Sequence, residues 1–280
     1  MRSTAAKSLT LLVTLLALAC LYELYRWIWV TTGWTWPFAV NDITLPHLWT
    51  IFKALGEPSR YGGPLLISVL LKSALFTGKE ALLGFTMGAL FGFALAILLV
   101  QSGLAQRAFL PYIVASQTIP ILAIAPMVVV WVTPHLPGFI AGWGAVAVIA
   151  AYLTFFPVAI NTLRGLQSAD PRAHELMRAY AASRSQELWR LRVPASMPYL
   201  FSALKVSATA SVVGAIIGEL PSSIQDGLGG AILNFNQYYS INPANLWATN
   251  LIAAALGIAF FLAVVLAERI VVHRAPENFA

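Results

Sequence analysis

The residues best equipped for chemistry in this chain are arginines and glutamates, gathered in one block, Asp170–Pro198: DPRAHELMRAYAASRSQELWRLRVPASMP. It is the longest strongly polar stretch of an otherwise almost continuous apolar sequence, and it carries Arg172, Glu175, Arg178, Arg184, Arg190 and Arg192. Side chains of this kind make ionic and hydrogen-bonded contacts with another surface. Asp170 followed by Pro171 is a cap followed by a first-turn proline, which opens a helix. Ser183 and Gln186 have capping-box spacing, so a second short helix starts there, with Pro194 and Pro198 as its stop. Two short helices meeting at a corner make a docking element. A solvated loop whose arginines only set orientation is the competing reading.

Other chemistry is poorly provided for. His47, His135, His174 and His273 are scattered without ligand spacing, so no metal site is expected, and the lone Cys20 excludes an intrachain disulfide. A phosphate-binding loop would need glycine where Ser73 precedes Gly78-Lys79, so the chain is not expected to bind ATP. No nucleophile, base or metal set converges as a membrane-embedded enzyme would require.

The elements that hold the polar block are apolar. The 280 residues are 59% hydrophobic and 10% charged, against about 25% charged in soluble domains. With a mean hydropathy of +0.76 and repeated apolar runs of about 20 residues, the expected class is an all-α, polytopic membrane helical bundle of about six spans. The net charge of +6 is then a topology signal, and no nucleic-acid partner is expected.

The first span is read as Leu9–Val30, retained although Arg2, Lys7 and the run before Cys20 resemble a signal peptide. Glu23 and Arg26 are three apart, able to pair on one face. Thr31–Gly63, with Trp34, Trp36 and Trp49, reads as an interfacial loop facing membrane lipid. Leu65–Thr77 is either an interfacial helix or the lead-in to a second span, Ala81–Val100, with Lys79 and Glu80 at the interface. Gly84, Gly88 and Gly92 form a small-residue ridge for close helix approach. Phe109–Val132 is the third span, interrupted by Pro111, Pro120 and Pro126. Gln117 and Thr118 there face a bundle interior or aqueous path, or simply repair the backbone. Phe139–Leu163, Phe201–Leu220 and Leu246–Ala267 complete the set. The domain reading is therefore an N-terminal helix (1–30), an external loop with interfacial helix (31–78), a core (79–270) holding the cytoplasmic loop 164–199, and a tail (271–280). With six spans, Arg107, the arginine block, Lys205, Arg269 and Arg274 share one side with Arg2 and Lys7, placing both termini in the cytoplasm. Charges within the spans lie near their ends, which argues against an ion-coupled secondary carrier, whose ionisable groups belong near midplane. A purely structural anchor remains a further reading.

At this point the polar block resembles the EAA loop of bacterial ATP-binding cassette (ABC) importer permeases, a Glu followed by Gly six residues on and Pro about nineteen on. Glu175-Leu-Met-Arg178 opens the motif, Ala182-Ser183-Arg184 follows the glycine position, and Pro194 and Pro198-Tyr199 close it. The resemblance covers roughly Ala81 to Arg269. Its other landmarks are Pro111, Gln117-Thr-Ile-Pro120, Ala125-Pro126, Phe156-Pro157 with Asn161-Thr162, Gly218-Glu219, and Gly227-Leu228-Gly229. It is nearest the nitrate, sulfonate, taurine and pyrimidine-precursor branch. Two places depart from the pattern. Ala181 stands at the motif glycine, where a side chain opposes a left-handed corner, and the external turn Thr133–Gly138 lacks the family's Gly- and acid-containing stretch.

The resemblance implies the type I ABC importer permease (MetI-like) fold in a bacterial inner membrane, with both termini cytoplasmic. It implies ATPase subunits on the cytoplasmic side that carry ATP and Mg, an extracytoplasmic solute-binding protein, and a second permease copy in a homodimer. It implies no cofactor or catalytic residue on this chain. Residues 170–186 would be the coupling helix, with Arg172, Glu175, Arg178 and Arg184 touching the ATPase and Ala181, Ser183 and Pro194 shaping the corner. Glu175 pairing within its own helix with Arg172 or Arg178 is the alternative. The path would be lined by Gln117, Thr118, Pro120 and Ser211, with Glu219 at a gate or in wet headgroups.

Overall fold

The computed structural model describes residues 4–272 apart from 37, 139 and 223. Arg2 and the tail from residue 273, with His273 and Arg274, lie outside the described residues, as does Phe139 at the start of the fourth expected span. The described chain is helical. α1 (Thr4–Thr32), α2 (Leu48–Leu55), α3 (Leu66–Gln101), α4 (Gly103–Ser116), α5 (Ile121–Val132) and α6 (Ala141–Leu166) come first. They are followed by α7 (Pro171–Ala179), α8 (Arg184–Glu187), α9 (Val193–Ser222), α10 (Leu228–Gln237) and α11 (Pro243–Val271). Five helices are long and apolar enough to cross a membrane, and α4 with α5 make a sixth span if the bent pair counts as one. The described residues fall into two compact units, one drawn from Met1–Leu71 with Ala231–Ile252, the other from Lys72–Gly230 with Ala253–Ala280.

In the first unit, the C-terminal end of α1 is fastened to the loop that follows it. Glu23 and Arg26 do not pair with each other. Glu23 accepts from Leu48 N–H at 2.9 Å and meets His47 Nδ1 at 2.8 Å. Arg26 pairs with Asp42 and donates to Leu45 C=O at 2.9 Å. Each charge finds a partner on the folded loop, which a helix-face reading does not contain. Ile51 and Ala54 of α2 then pack with Leu66, Leu70, Ala231, Ala244 and Ala248 in an apolar cluster.

The second unit is built around α6, whose Ala145, Val146, Ala147, Ile149, Ala150, Val158 and Ala159 are all buried. The glycine ridge of α3 lies directly against it. A Cβ on Gly84 would stand 2.6 Å from Ala147 O, one on Gly88 2.6 Å from Thr154 Cβ, and one on Gly92 2.5 Å from Phe155 O. On another side, a Cβ on Gly214 of α9 would stand 2.9 Å from Ala150 Cα, and Gly218 faces Val146 and Ile149. Without side chains the backbones approach closely, and packing contacts replace the hydrophobic drive that lipid does not supply.

Three expected boundaries fall elsewhere. α3 is a single helix of 36 residues, about 54 Å at 1.5 Å per residue, so Leu65–Thr77 leads into the second span and Lys79-Glu80 marks no break. Nothing in Leu66–Gln101 can stop a helix: the run has no proline, and Gly78 sits among strong helix formers. The third span is bent by 100° between α4 and α5. Of its prolines, Pro111 and Pro126 lie inside helices and only Pro120 breaks one, standing at the start of α5 with φ −62° and ψ 119°. Proline drives the preceding residue out of helical geometry and cannot donate an N–H. Pro194 and Pro198, by contrast, do not stop the second loop helix. α8 continues into α9 through a wide turn at Leu188–Arg192, where Val193 N–H bonds to Leu188 C=O five residues back. The looser winding leaves room for a ring that would clash with the carbonyl four residues before it.

Candidate coupling loop and translocation path

The polar block forms a capped corner. Asp170 opens α7, its carboxylate accepting from Arg172 N–H at 2.8 Å. At the other end Ala182 N–H donates to Met177 C=O at 2.9 Å and Ala181 N–H to Arg178 C=O at 2.9 Å. This pair of bonds is a Schellman closure, which needs its turning residue in the left-handed region. That residue is Ala181, at φ +49°. The corner the motif glycine would form is kept, with a methyl group held where L-residues pay about 1–2 kcal/mol. Ser183 then caps α8 as its spacing foretold: its hydroxyl accepts from Gln186 N–H at 3.2 Å, and Gln186 Oε1 accepts from Ser183 N–H at 2.8 Å.

The two arms are tied by Glu187. Its Oε1 lies 2.8 Å from His174 Nδ1 on α7 and 2.7 Å from Arg192 Nη2. Behind them Leu188 joins Leu163 and Leu166 of α6 with Ala96 and Leu99 of α3, seating the corner on the bundle. What the corner presents outward is charged and apolar together. Arg172, Glu175, Arg178 and Arg184 are exposed, and none of the ion pairs among the described residues engages them. Glu175 therefore does not pair with Arg172 or Arg178. Beside them Leu176, Tyr180 and Trp189 are 58%, 80% and 56% exposed, an apolar contribution that sequence reasoning passed over. Its signal was present, in large apolar residues interleaved with arginines on a short helix.

The expected path residues do not form one cluster. Gln117, Thr118 and Pro120 are exposed at the break between α4 and α5. Thr118 Oγ1 donates to Ala115 C=O at 2.8 Å, and Tyr152 of α6 donates its hydroxyl to Ser116 C=O, so freed carbonyls are satisfied locally. Ser211 is fully buried, its hydroxyl donating to Ala208 C=O of its own helix at 2.8 Å.

Glu219 is fully buried as well, and so does not sit in wet headgroups. Thr77 Oγ1 donates to its Oε1 at 2.6 Å, and Gly229 N–H donates to its Oε2 at 2.5 Å. Thr77 in turn accepts from Leu228 N–H at 2.8 Å. Gly227 and Gly229, at the entry to α10, let the backbone close over the carboxylate: a Cβ on Gly229 would stand 2.7 Å from Glu219 Cβ. Thr77 and Glu80, 1% exposed, were missed as members of this cluster. An acid flanked by lysine reads as an interface marker until its partner on another helix is known.

The described residues form a multi-span helical protein that carries a capped, charge-bearing corner. Residues 86–277 match the family model described as binding-protein-dependent transport system inner membrane component. The chain belongs to that family, as a permease subunit of an ABC importer. It is 31% identical over 238 residues to the formylaminopyrimidine transport permease protein ThiX of Halalkalibacterium halodurans, covering 81% of this chain and 91% of that one. It is 26% identical to the nitrate import permease protein NrtB of Leptolyngbya laminosa, over 58% of this chain and 54% of the relative. It is 24% identical to the taurine transport system permease protein TauC of Escherichia coli, over 63% and 58%. A solved amino acid ABC transporter with histidines has the same fold, with a TM-score of 0.57 at 18% identity over 73% of this chain and 95% of that one. The chain is thus a multi-pass inner-membrane protein, and the ion-coupled carrier reading falls to the family match.

Proposed function

We propose that this permease moves a small polar or anionic organic solute, of the sulfonate, nitrate or pyrimidine-precursor class, from an extracytoplasmic binding protein into the cytoplasm. The relatives named for formylaminopyrimidine, nitrate and taurine transport support that class. ATP and Mg belong to separate ATPase subunits, two copies of this chain form the pore as a homodimer, and both termini lie in the cytoplasm.

The observation that carries the reading is the corner at Ala181. Force can enter a membrane bundle only through an element that does not bend under it. Here a Schellman closure, a capping box and the Glu187 clamp fix the two arms. Arg172, Glu175, Arg178 and Arg184 then meet charges on the ATPase, while Leu176 and Tyr180 enter an apolar part of its groove. Ala181, Ser183 and Pro194 set the corner's shape and its passage into α9. Gln117, Thr118 and Pro120 at the helix break, with Ser211 and Glu219 on α9, are the residues assigned to the path and its outer gate. The test is co-purification of the ATPase with Leu176→Asp and Glu175→Arg variants. Both are expected to reach the membrane folded and to lose the ATPase. Retention of the ATPase at wild-type ratio by both would refute the assignment.

A further inference from the structure

Glu80 is 1% exposed and Glu219 fully buried, yet no N–H or O–H group among the described residues reaches either carboxyl oxygen of Glu80. Thr77, one helical turn before Glu80 on α3, donates to Glu219 of α9, which sets Glu80 beside the Glu219 carboxyl in the same buried contact. Two ionised carboxylates are acceptors only and cannot bond to each other. Their roles differ by surroundings. Both Glu219 oxygens already accept, from Thr77 Oγ1 and from Gly229 N–H. Thr77 accepts from Leu228 N–H, which commits its own hydrogen to Glu219. Glu219 is thereby marked as the charged acceptor, and Glu80 as the member without any donor of its own to lean on.

No counter-charge is at hand among the described residues. α6 offers Val146 and Ile149 to Gly218 of α9, and α11 offers Leu256 and Phe260 to Gly78 of α3. Ser222 donates to the Glu219 main-chain carbonyl at 2.8 Å. Lys79, on α3, and Asp226, on the turn, are exposed, and neither glutamate enters an ion pair with any described lysine, arginine or histidine. The backbone at Gly227 and Gly229 presses on the Glu219 carboxylate, and among the described residues no group of three or more His, Cys, Asp or Glu converges to hold a metal ion.

We propose that Glu80 and Glu219 together form a proton-binding site that holds one proton, carried on Glu80 and donated to Glu219. The turn from Ile224 to Gly227 and the first residues of α10, Leu228 to Gly230, are latched through this pair, Thr77 and Gly229 to α3 and α9. When the turn lifts and water reaches the pair, the O–H bond of Glu80 breaks and the proton passes to water. The inference goes beyond the permease assignment and holds whichever solute is carried. The sign follows from burial: deprotonation in place would set two negative charges side by side in a dry site. The latched state is therefore favoured at low pH and lost as pH rises.

The test uses the full chain in lipid nanodiscs, with Glu80→Gln as the variant that keeps a donor toward Glu219 but cannot release a proton. In the unaltered chain near neutral pH, infrared spectroscopy is expected to show a protonated-carboxyl C=O band that Glu80→Gln lacks. Thermal stability of the unaltered chain is expected to fall on going to alkaline pH, and that of Glu80→Gln to stay level. The proposal is overturned if the band persists in Glu80→Gln, or if both proteins fall alike. It is also overturned if sodium stabilises the unaltered chain alone, since a metal ion would then occupy the site. Should Glu80→Gln fail to assemble, isotopically labelled glutamate must shift the band in the unaltered chain, and no shift overturns the proposal.

Discussion

His174 on α7 lies 2.8 Å from Glu187 on α8, bridging the two arms of the corner from opposite sides of the Ala181 turn. The same Glu187 oxygen takes Arg192 at 2.7 Å, so one carboxylate gathers both arms and the wide turn that leads into α9. Removing it deprives both His174 and Arg192 of their shared acceptor rather than breaking one contact. Glu187→Gln is expected to loosen the corner by about 1–2 kcal/mol, the scale of a partly exposed charged hydrogen bond. Faster hydrogen exchange at residues 171–187, with exchange in α6 unchanged, is the measurement that checks this. Uniform protection would contradict it.

Ala181 holds φ +49°, a conformation glycine adopts without cost. Ala181→Gly is expected to leave the corner in place and stabilise it by about 1 kcal/mol. Ala181→Val, branched at Cβ, should destabilise by more than that. Hydrogen exchange of the loop in the three proteins orders them, with the native chain in the middle.

The α3 ridge fixes how closely α3 and α6 approach. Gly88→Leu puts a side chain where even a Cβ would stand 2.6 Å from Thr154 Cβ. The expected loss is about 3 kcal/mol or failure to assemble, read as protease sensitivity of the membrane-inserted chain. Gly257, where an added methyl would meet nothing within 4 Å, is the control: Gly257→Ala should be silent.

Pro120 turns α4 into α5 through 100°. Pro120→Ala restores an N–H donor and lets the two helices join, so solute uptake is expected to fall by about ten-fold or more while the chain still inserts. Uptake per inserted copy in proteoliposomes holding the whole complex checks it.

Local signals in the sequence carried much of this architecture. Asp170, Ser183 and Gln186 cap what their spacing says they cap, because those bonds close within three residues. The glycines at 84, 88 and 92 announced a close helix neighbour, though not that the neighbour is α6. What was illegible depends on partners far along the chain. Glu80 and Lys79 looked like an interface because nothing local says that Glu219 waits on α9. Arg26 looked like a partner for Glu23 because Asp42 meets it only after the loop folds back. Pro194 looked like a stop because the wide turn at Leu188–Arg192 that accommodates it has no residue signature of its own.

The proposed function requires an ATPase that grips this chain at the α7 corner. Site-directed cross-linking in the assembled complex reports that contact without intermediaries, with Cys20→Ser to clear the lone native thiol and Glu175→Cys on the exposed face of α7. Tyr61→Cys in the first unit's long loop serves as control. A cross-link to the ATPase is expected from position 175, its yield changing when ATP is added, and none from position 61. No cross-link at 175 in a complex that still transports would contradict a grip at this corner.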